Sequence, residues 1–550
     1  MDRAPRRLIT GGRVFTADAD RPWADALVID GSEIAFVGDV DTARTIAGSG
    51  AEVVETDGGL IMPGFVDGHV HVAMTGADLQ AMSLRDAPDL EEIQRRVRRF
   101  ADEHPDAERI AGNNWVHGAV PDGRPTRAMI DEVVHDRPVY LGAYDYHSSW
   151  VNSAALAELG ITAATPDPVG GVIVRDDTGE ATGWLLESAA TNLVWPLLAD
   201  VGADGTKERI RLALRAFAEA GITTAVDMAM DAETLGLMSE LRDGGELTTR
   251  IVAHMLVPRT GDLSDELGFV GRAAELADTH DDDRLRVTGI KIICDGTIDA
   301  CTAALREPYA DGSHDGPLWD ADSLNAIVTA ADAAGLQVAI HAIGDLAIGI
   351  SIDAIEQAGR ANGTSGARHR IEHLEYARDD DITRIGELGI TASVQPVHVD
   401  PTILDNWSKM LGAERAARGW AWPLYLAAGA VLALGTDTPT APLEALPNMY
   451  LASTRRAPSD PSLTPHRPDW ALPLEAALLH GTRESAHAAK LESRTGRLAK
   501  GLAADVVVLT RDPLREGPAS LLETEVALTI AQGRVVHTAD GGSSGRSTAG

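Results

Sequence analysis

Pro63-Gly64-Phe65-Val66-Asp67-Gly68-His69-Val70-His71 is the stretch on which the fold turns. It ends an apolar run that begins at Ile61, and its two histidines stand two residues apart. Side chains at i and i+2 of an extended strand share one face, so both imidazoles project to the same side. In a barrel strand that side is the interior, which is a metal-ligand geometry. Two histidines decide little alone; what decides is where their partners fall.

Working outward, seven further apolar, β-rich runs follow at 222–226, 250–256, 287–294, 337–341, 369–373, 390–395 and 430–435, with helical stretches between them. Alternation of this kind is the βαβ signature of a parallel sheet buried on both faces. Eight such strands predict an α/β fold, a closed (β/α)8 TIM-type barrel. The first and second runs are too far apart for a single crossover helix. Residues about 75–205 are therefore expected to form a large insertion, a substrate-covering subdomain with strand-like pieces such as 137–141 and helical ones such as 90–100. Both ends of the chain are strand-rich, at 13–16, 25–29 and 33–38 and again at 504–509, 526–530 and 533–536. These predict one split β-sandwich from residues 1–62 and 490–540, around a barrel of 63–489. The Gly/Ser-rich tail 541–550 is expected to be disordered.

The bulk properties narrow the function. A chain of 550 residues exceeds what one hydrophobic core supports. Its 44% hydrophobic and 24% charged residues are those of an ordinary globular protein. A net charge of −35, with only five lysines and acidic runs at 281–283 and 379–381, argues against nucleic acid or an anionic membrane as partner. The longest apolar run, 425–435, is too short to cross a bilayer, and the first residues lack the apolar core of an export signal. Cys294 and Cys301 cannot make a disulfide framework and read as core residues. A cytoplasmic setting is the simplest expectation.

The candidate ligands beyond His69 and His71 each close a different strand. His341 opens His341-Ala342-Ile343-Gly344-Asp345, His373 ends His369-Arg370-Ile371-Glu372-His373, and Asp437 follows Leu434-Gly435-Thr436. The carboxyl ends of barrel strands are where catalytic groups collect. Lys291 interrupts the fourth apolar run, where an unpaired ammonium is costly. Burial lowers a lysine pKa, and the neutral amine can take up carbon dioxide to give a carbamate, an anionic ligand able to bridge two cations. The other reading of Lys291 is an ion pair with a nearby carboxylate such as Asp295. Imidazole and carboxylate-type ligands suit one or two divalent ions, zinc first and manganese, iron or cobalt also. Trp115 and His147 in the insertion, and His398 just past the seventh run, are candidate substrate contacts. Trp115 and His147 have packing of the insertion as the competing reading.

Pro63-Gly-Phe-Val-Asp-Gly-His69-Val-His71, Lys291-Ile-Ile-Cys-Asp-Gly, His341-Ala-Ile-Gly-Asp, His369-Arg-Ile-Glu-His373 and Leu434-Gly-Thr-Asp437-Thr-Pro together resemble the metal motifs of the amidohydrolase superfamily. They are most similar to its family 3 branch, which includes N-substituted formamide deformylase. The split terminal domain and the long insertion match that branch too. The resemblance implies that His69 and His71 bind the more buried metal, carboxylated Lys291 bridges, and His341 and His373 bind the second. It implies that Asp437 contacts metal and carries the proton, and that the enzyme is a homodimer. The expected reaction is attack of metal-activated water on the carbonyl carbon of a small amide or formamide, through a tetrahedral intermediate, with cleavage of its C–N bond. A hydrolytic deaminase, or an ester or lactone hydrolase, is the alternative on the same scaffold.

Overall fold

A computed structural model describes residues 5–144, 148–168, 171–199, 201–299 and 301–539. The chain divides into two compact units, one formed by Met1–Val72 with Leu214–Gly550 and the other by Ala73–Ala213.

The centre of the first unit is an eight-stranded parallel sheet in sequence order. Its strands are β1 (Phe65–Val70), β2 (Ile222–Met230), β3 (Arg250–Leu256), β4 (Leu285–Ile293), β5 (Gln337–Ala342), β6 (Arg370–His373), β7 (Thr391–Val394) and β8 (Leu432–Leu434). Each matches one of the apolar runs. Most of their residues are buried, as strands covered on both faces require. The sheet closes where the segment after β8 returns to β1. Asp437 N–H donates to the His69 carbonyl at 2.8 Å, His71 N–H to the Thr438 carbonyl at 3.0 Å, and Val70 bridges Thr438. At this seam Gly435 is required, because a Cβ there would lie 2.6 Å from the His69 nitrogen.

The covering helices follow from pattern and caps. Ala321–Ala333 starts at Asp320, whose side chain accepts the Ser323 N–H, and buries Leu324, Ile327, Val328 and Ala331, one helical face. Asp345–Asn362 ends at Gly363 in the left-handed conformation.

One expectation needs correction. The run 61–71 is not one strand, because Ile61–Pro63 belongs to a second sheet and only Phe65–Val70 to the barrel. That second sheet joins both ends of the chain. Its order is Arg534–Thr538, Val526–Ala531, Val506–Leu509, Ile61–Pro63, Arg7–Phe15, Trp23–Asp30 and Glu33–Gly38, with Glu52–Glu55 also paired to Arg7–Phe15. Ile9, Leu27, Ile61, Val506, Val508 and Ile530 share its core.

The second unit holds a six-stranded sheet containing Ile110–Trp115 and Val139–Ala143, and the helix Leu90–Glu103. Asp89 caps that helix, and Ile93, Val97 and Ala101 form its buried face. The tail 541–550 lies outside the described residues.

Candidate active site

Strand β1 places Asp67 and His69 on one face, and His71 follows directly. Asp67 was not singled out from sequence, yet it locks the seam. Its Oδ1 accepts N–H groups from His69 at 3.2 Å and Thr436 at 3.0 Å, and its Oδ2 accepts the Thr436 hydroxyl at 2.7 Å. Burial lifts its carboxyl to about 7, against the pull of those Thr436 bonds.

Asp437 stands at the focus. Its Oδ1 is 3.3 Å from His69 Nε2 and 3.1 Å from His71 Nε2, and its Oδ2 is 3.5 Å from His398 Nε2. Burial opposes ionisation here, but the imidazoles of His69, His71 and His373 hold the carboxyl well below the usual carboxylate range. The histidines move the other way. Burial, reinforced by the charge of Lys291, pulls His69 down to about 4 and His341 to about 3, and burial with His341 beside it takes His373 well below its ordinary value. Near neutral pH His69, His341 and His373 are thus neutral imidazoles beside the ionised Asp437 carboxylate, each with a free electron pair on one nitrogen. Such a set suits a divalent cation of the zinc type.

The other ring nitrogens are tied down. Glu372 Oε2 accepts from His69 Nδ1 at 2.8 Å, and Gln395 Oε1 from His373 Nδ1 at 2.9 Å. Fixing one nitrogen of a ligand histidine orients the other. Donor atoms of His69, His71 and Asp437 lie within 4.8 Å of one another, as do those of His373, Glu375 and His398. His341 stands beside His373 with ring centroids 4.4 Å apart, but its Nε2 is turned to the Gly296 carbonyl at 3.3 Å and it joins neither group.

Lys291 is 3% exposed on β4, and burial lowers its amine to about 8 against the charges of Glu372 and Asp437. The ion pair with Asp295 does not form. Asp295 instead accepts N–H groups from Ala304, Ile343 and Gly344, and among the described residues no carboxylate reaches Lys291 Nζ within ion-pair distance.

His398 reaches the focus. Its Nδ1 contacts Glu375 Oε1 at 3.0 Å, and Glu375 lifts its pKa although burial opposes the charge. Trp115, by contrast, has no exposed surface to offer a substrate. Its indole N–H donates to the Leu141 carbonyl at 3.0 Å and its ring meets Trp150 in the core of the second unit, so the packing reading replaces the contact reading. His147 lies outside the described residues. Buried Cys294 sits in the core as expected, while Cys301 is only half-buried.

Sequence reasoning passed over Glu372, Arg370 and Glu375. Two opposite charges at i and i+2 of an otherwise apolar strand were a readable signal for Arg370 and Glu372. No periodicity reveals Glu375, because His373 and Leu374 have positive φ of 75° and 51° and redirect the chain.

Comparison with known proteins follows the same line. The amidohydrolase family sequence model matches residues 52–537. The protein LONG AFTER FAR-RED 3 of Arabidopsis thaliana is 31% identical over 92% of this chain and 87% of its own. N-substituted formamide deformylase of Arthrobacter pascens is 28% identical over 96% of this chain and 97% of its own. A crystal structure of an uncharacterised metal-dependent hydrolase from Pyrococcus furiosus superposes with a TM-score of 0.73 at 26% identity, covering 92% of this chain and all of that one. With its barrel, its strand-end histidines and a family match over nearly the whole sequence, the chain belongs to the amidohydrolase family.

Proposed function

We propose that the protein is a metal-dependent hydrolase that cleaves the C–N bond of a small amide or formamide with water. One observation carries the reading: the ionised Asp437 carboxylate sits 3.1–3.3 Å from the Nε2 atoms of two imidazoles, where barrel strands end. His69, His71 and Asp437 would hold one divalent cation, zinc being the first candidate. His341 and His373 would hold a second, with Lys291 as a carbamate supplying an anionic oxygen ligand. A cation so held supplies Lewis acidity toward a carbonyl and lowers the pKa of water.

The remaining work falls to this chain. Asp437 accepts the proton of the attacking water and returns it to the leaving amine. His398 Nε2, 3.5 Å from Asp437 Oδ2, is the group to contact the substrate where charge develops on its oxygen. Glu372 and Gln395 hold their histidines fixed throughout. The formamide-deformylating activity for which the Arthrobacter pascens relative is named favours the C–N bond. The assembly we read as a homodimer in the cytoplasm.

The test is turnover of a panel of N-formyl amines, acylated amino acids, cyclic ureas and esters by zinc-loaded protein. Release of amine from the amides, lost on chelation and regained with zinc, is expected. Turnover of esters alone would transfer the assignment to C–O hydrolysis, and loss of ammonia from an amino substituent to deamination. Hydrolysis indifferent to chelation would end the reading.

A further inference from the structure

We propose that Arg370 and Glu372 form a charged brace that fixes His69 as a donor through Nε2, making the His69, His71 and Asp437 group the tighter cation position. The inference rests on the metal-dependent reading above. A carboxylate only accepts hydrogen bonds, so Glu372 Oε2 at 2.8 Å places the His69 proton on Nδ1. The electron pair is then on Nε2, the atom facing Asp437 Oδ1. Glu372 is gripped in turn by Arg370, whose Nε lies 2.5 Å from Oε1 and whose Nη2 lies 3.0 Å from Oε2. The same Nη2 donates to the Gly68 carbonyl at 2.6 Å, one residue before His69, and to Ser393 Oγ at 2.7 Å. One guanidinium therefore ties the backbone of β1, the side chain behind its histidine and strand β7.

Burial excludes a role in touching substrate. Arg370 and Glu372 are both 0% exposed, and His69 1%. A sealed ion pair is a poor way to gain stability, since desolvation offsets most of the attraction, so its use is better sought in what it orients. His373 gives the contrast. Its Nδ1 rests on the neutral amide of Gln395, and a carboxylate partner strengthens a ligand imidazole more than an amide does.

Glu372→Gln removes the charge and lets the amide turn its N–H toward Nδ1, which would put the His69 proton on the metal side. Metal-free protein would be titrated with zinc against a chromophoric chelator. Glu372→Gln should weaken the first-filled position by about 10- to 100-fold, with the far-ultraviolet circular dichroism of the metal-free protein unchanged. Gln395→Leu should leave that position within about threefold. Equal first-site affinity in wild type and Glu372→Gln, or an equal loss in Gln395→Leu, would overturn the brace. Wild-type protein that takes up no zinc would instead overturn the functional reading. Should the single variant fold poorly, the Arg370→Gln, Glu372→Gln double variant removes the orphaned guanidinium and is read the same way. A zinc-bound crystal structure with His69 ligating through Nδ1 overturns the proposal whatever the variants do.

Discussion

Lys291 separates two chemistries at a single nitrogen. Burial holds its amine near 8, so near neutral pH a usable fraction is uncharged, the form that reacts with carbon dioxide. With Asp295 occupied by three backbone N–H groups, the ion-pair explanation of a buried lysine loses its partner. If the carbamate forms, Lys291→Ala loses bound metal and turnover together, and a short carboxylic acid restores part of each. Lys291→Arg keeps the charge but cannot form a carbamate, so activity is expected to fall at least about a hundredfold. Elemental analysis and turnover on any working substrate are the measurements, and an arginine variant with full metal and full activity sinks the idea. Two neighbours also carry backbone strain. His373 and Asp437 have φ of 75° and 61°, a conformation that costs an ordinary residue roughly 1–2 kcal/mol. Both are candidate ligands, and strain held at such positions points to function.

At the scale of elements, eight apolar runs became eight strands in the order the sequence gives them, because a strand buried on both faces must be apolar along its length. The same property hid a boundary. Residues 61–71 read as one run, yet Gly64 splits them between two sheets, at a point where a Cβ would fall 2.2 Å from Thr223 Oγ1. The histidines were legible because they break apolar strands at their ends. Glu375 was not, because a left-handed turn carries it to the site. Trp115 misled because an aromatic ring in a polar segment suggests a pocket while its apolar surface favours burial. His254 on β3 shows what a buried histidine does when it is not at the focus. Its Nε2 meets Gln337 Oε1 at 3.0 Å, and Gln337 Nε2 donates to the Ala488 carbonyl at 2.8 Å, tying β3, β5 and the helix Ser485–Ala488 that follows β8. Burial, with the charge of Arg370, pulls His254 down to about 3. The unfolded chain therefore binds a proton near 6.5 that the native state refuses, and this contribution is whole above that pH and lost as pH falls toward 3. His254→Gln removes the titration, so relative to the variant the wild type should lose about 2 kcal/mol between pH 7 and pH 5. Urea unfolding of both proteins at the two pH values measures it, and a constant difference would refute the assignment.

The whole molecule carries 83 acidic residues against 48 basic ones, a net charge of −35. Many of its arginines are engaged in local pairs with carboxylates, such as Arg96 with Asp86 and Glu92, or Arg384 with Asp353 and Glu356. Pairing shortens the reach of individual charges but leaves the excess uncompensated. Excess charge of one sign destabilises a compact chain through self-repulsion. The range of that repulsion is set by salt, from about 30 Å at 0.01 M to about 3 Å at 1 M. Exposed pairs are screened over the same interval, but each contributes only about 0–1 kcal/mol, while the repulsion sums over the whole surface. The expected outcome is a melting temperature that climbs between about 0.01 and 1 M potassium chloride and then flattens, once the screening length is shorter than the spacing between charges. Calorimetry on metal-loaded protein, with the metal concentration held fixed, is the measurement, because bound cation stabilises by mass action and would otherwise mix with the salt effect. A neutral osmolyte at matched osmolality is the control, since it raises stability by exclusion without screening any charge. If the melting temperature fell with salt, the local ion pairs would outweigh the excess charge, and the acidic surface could not be read as a source of repulsion.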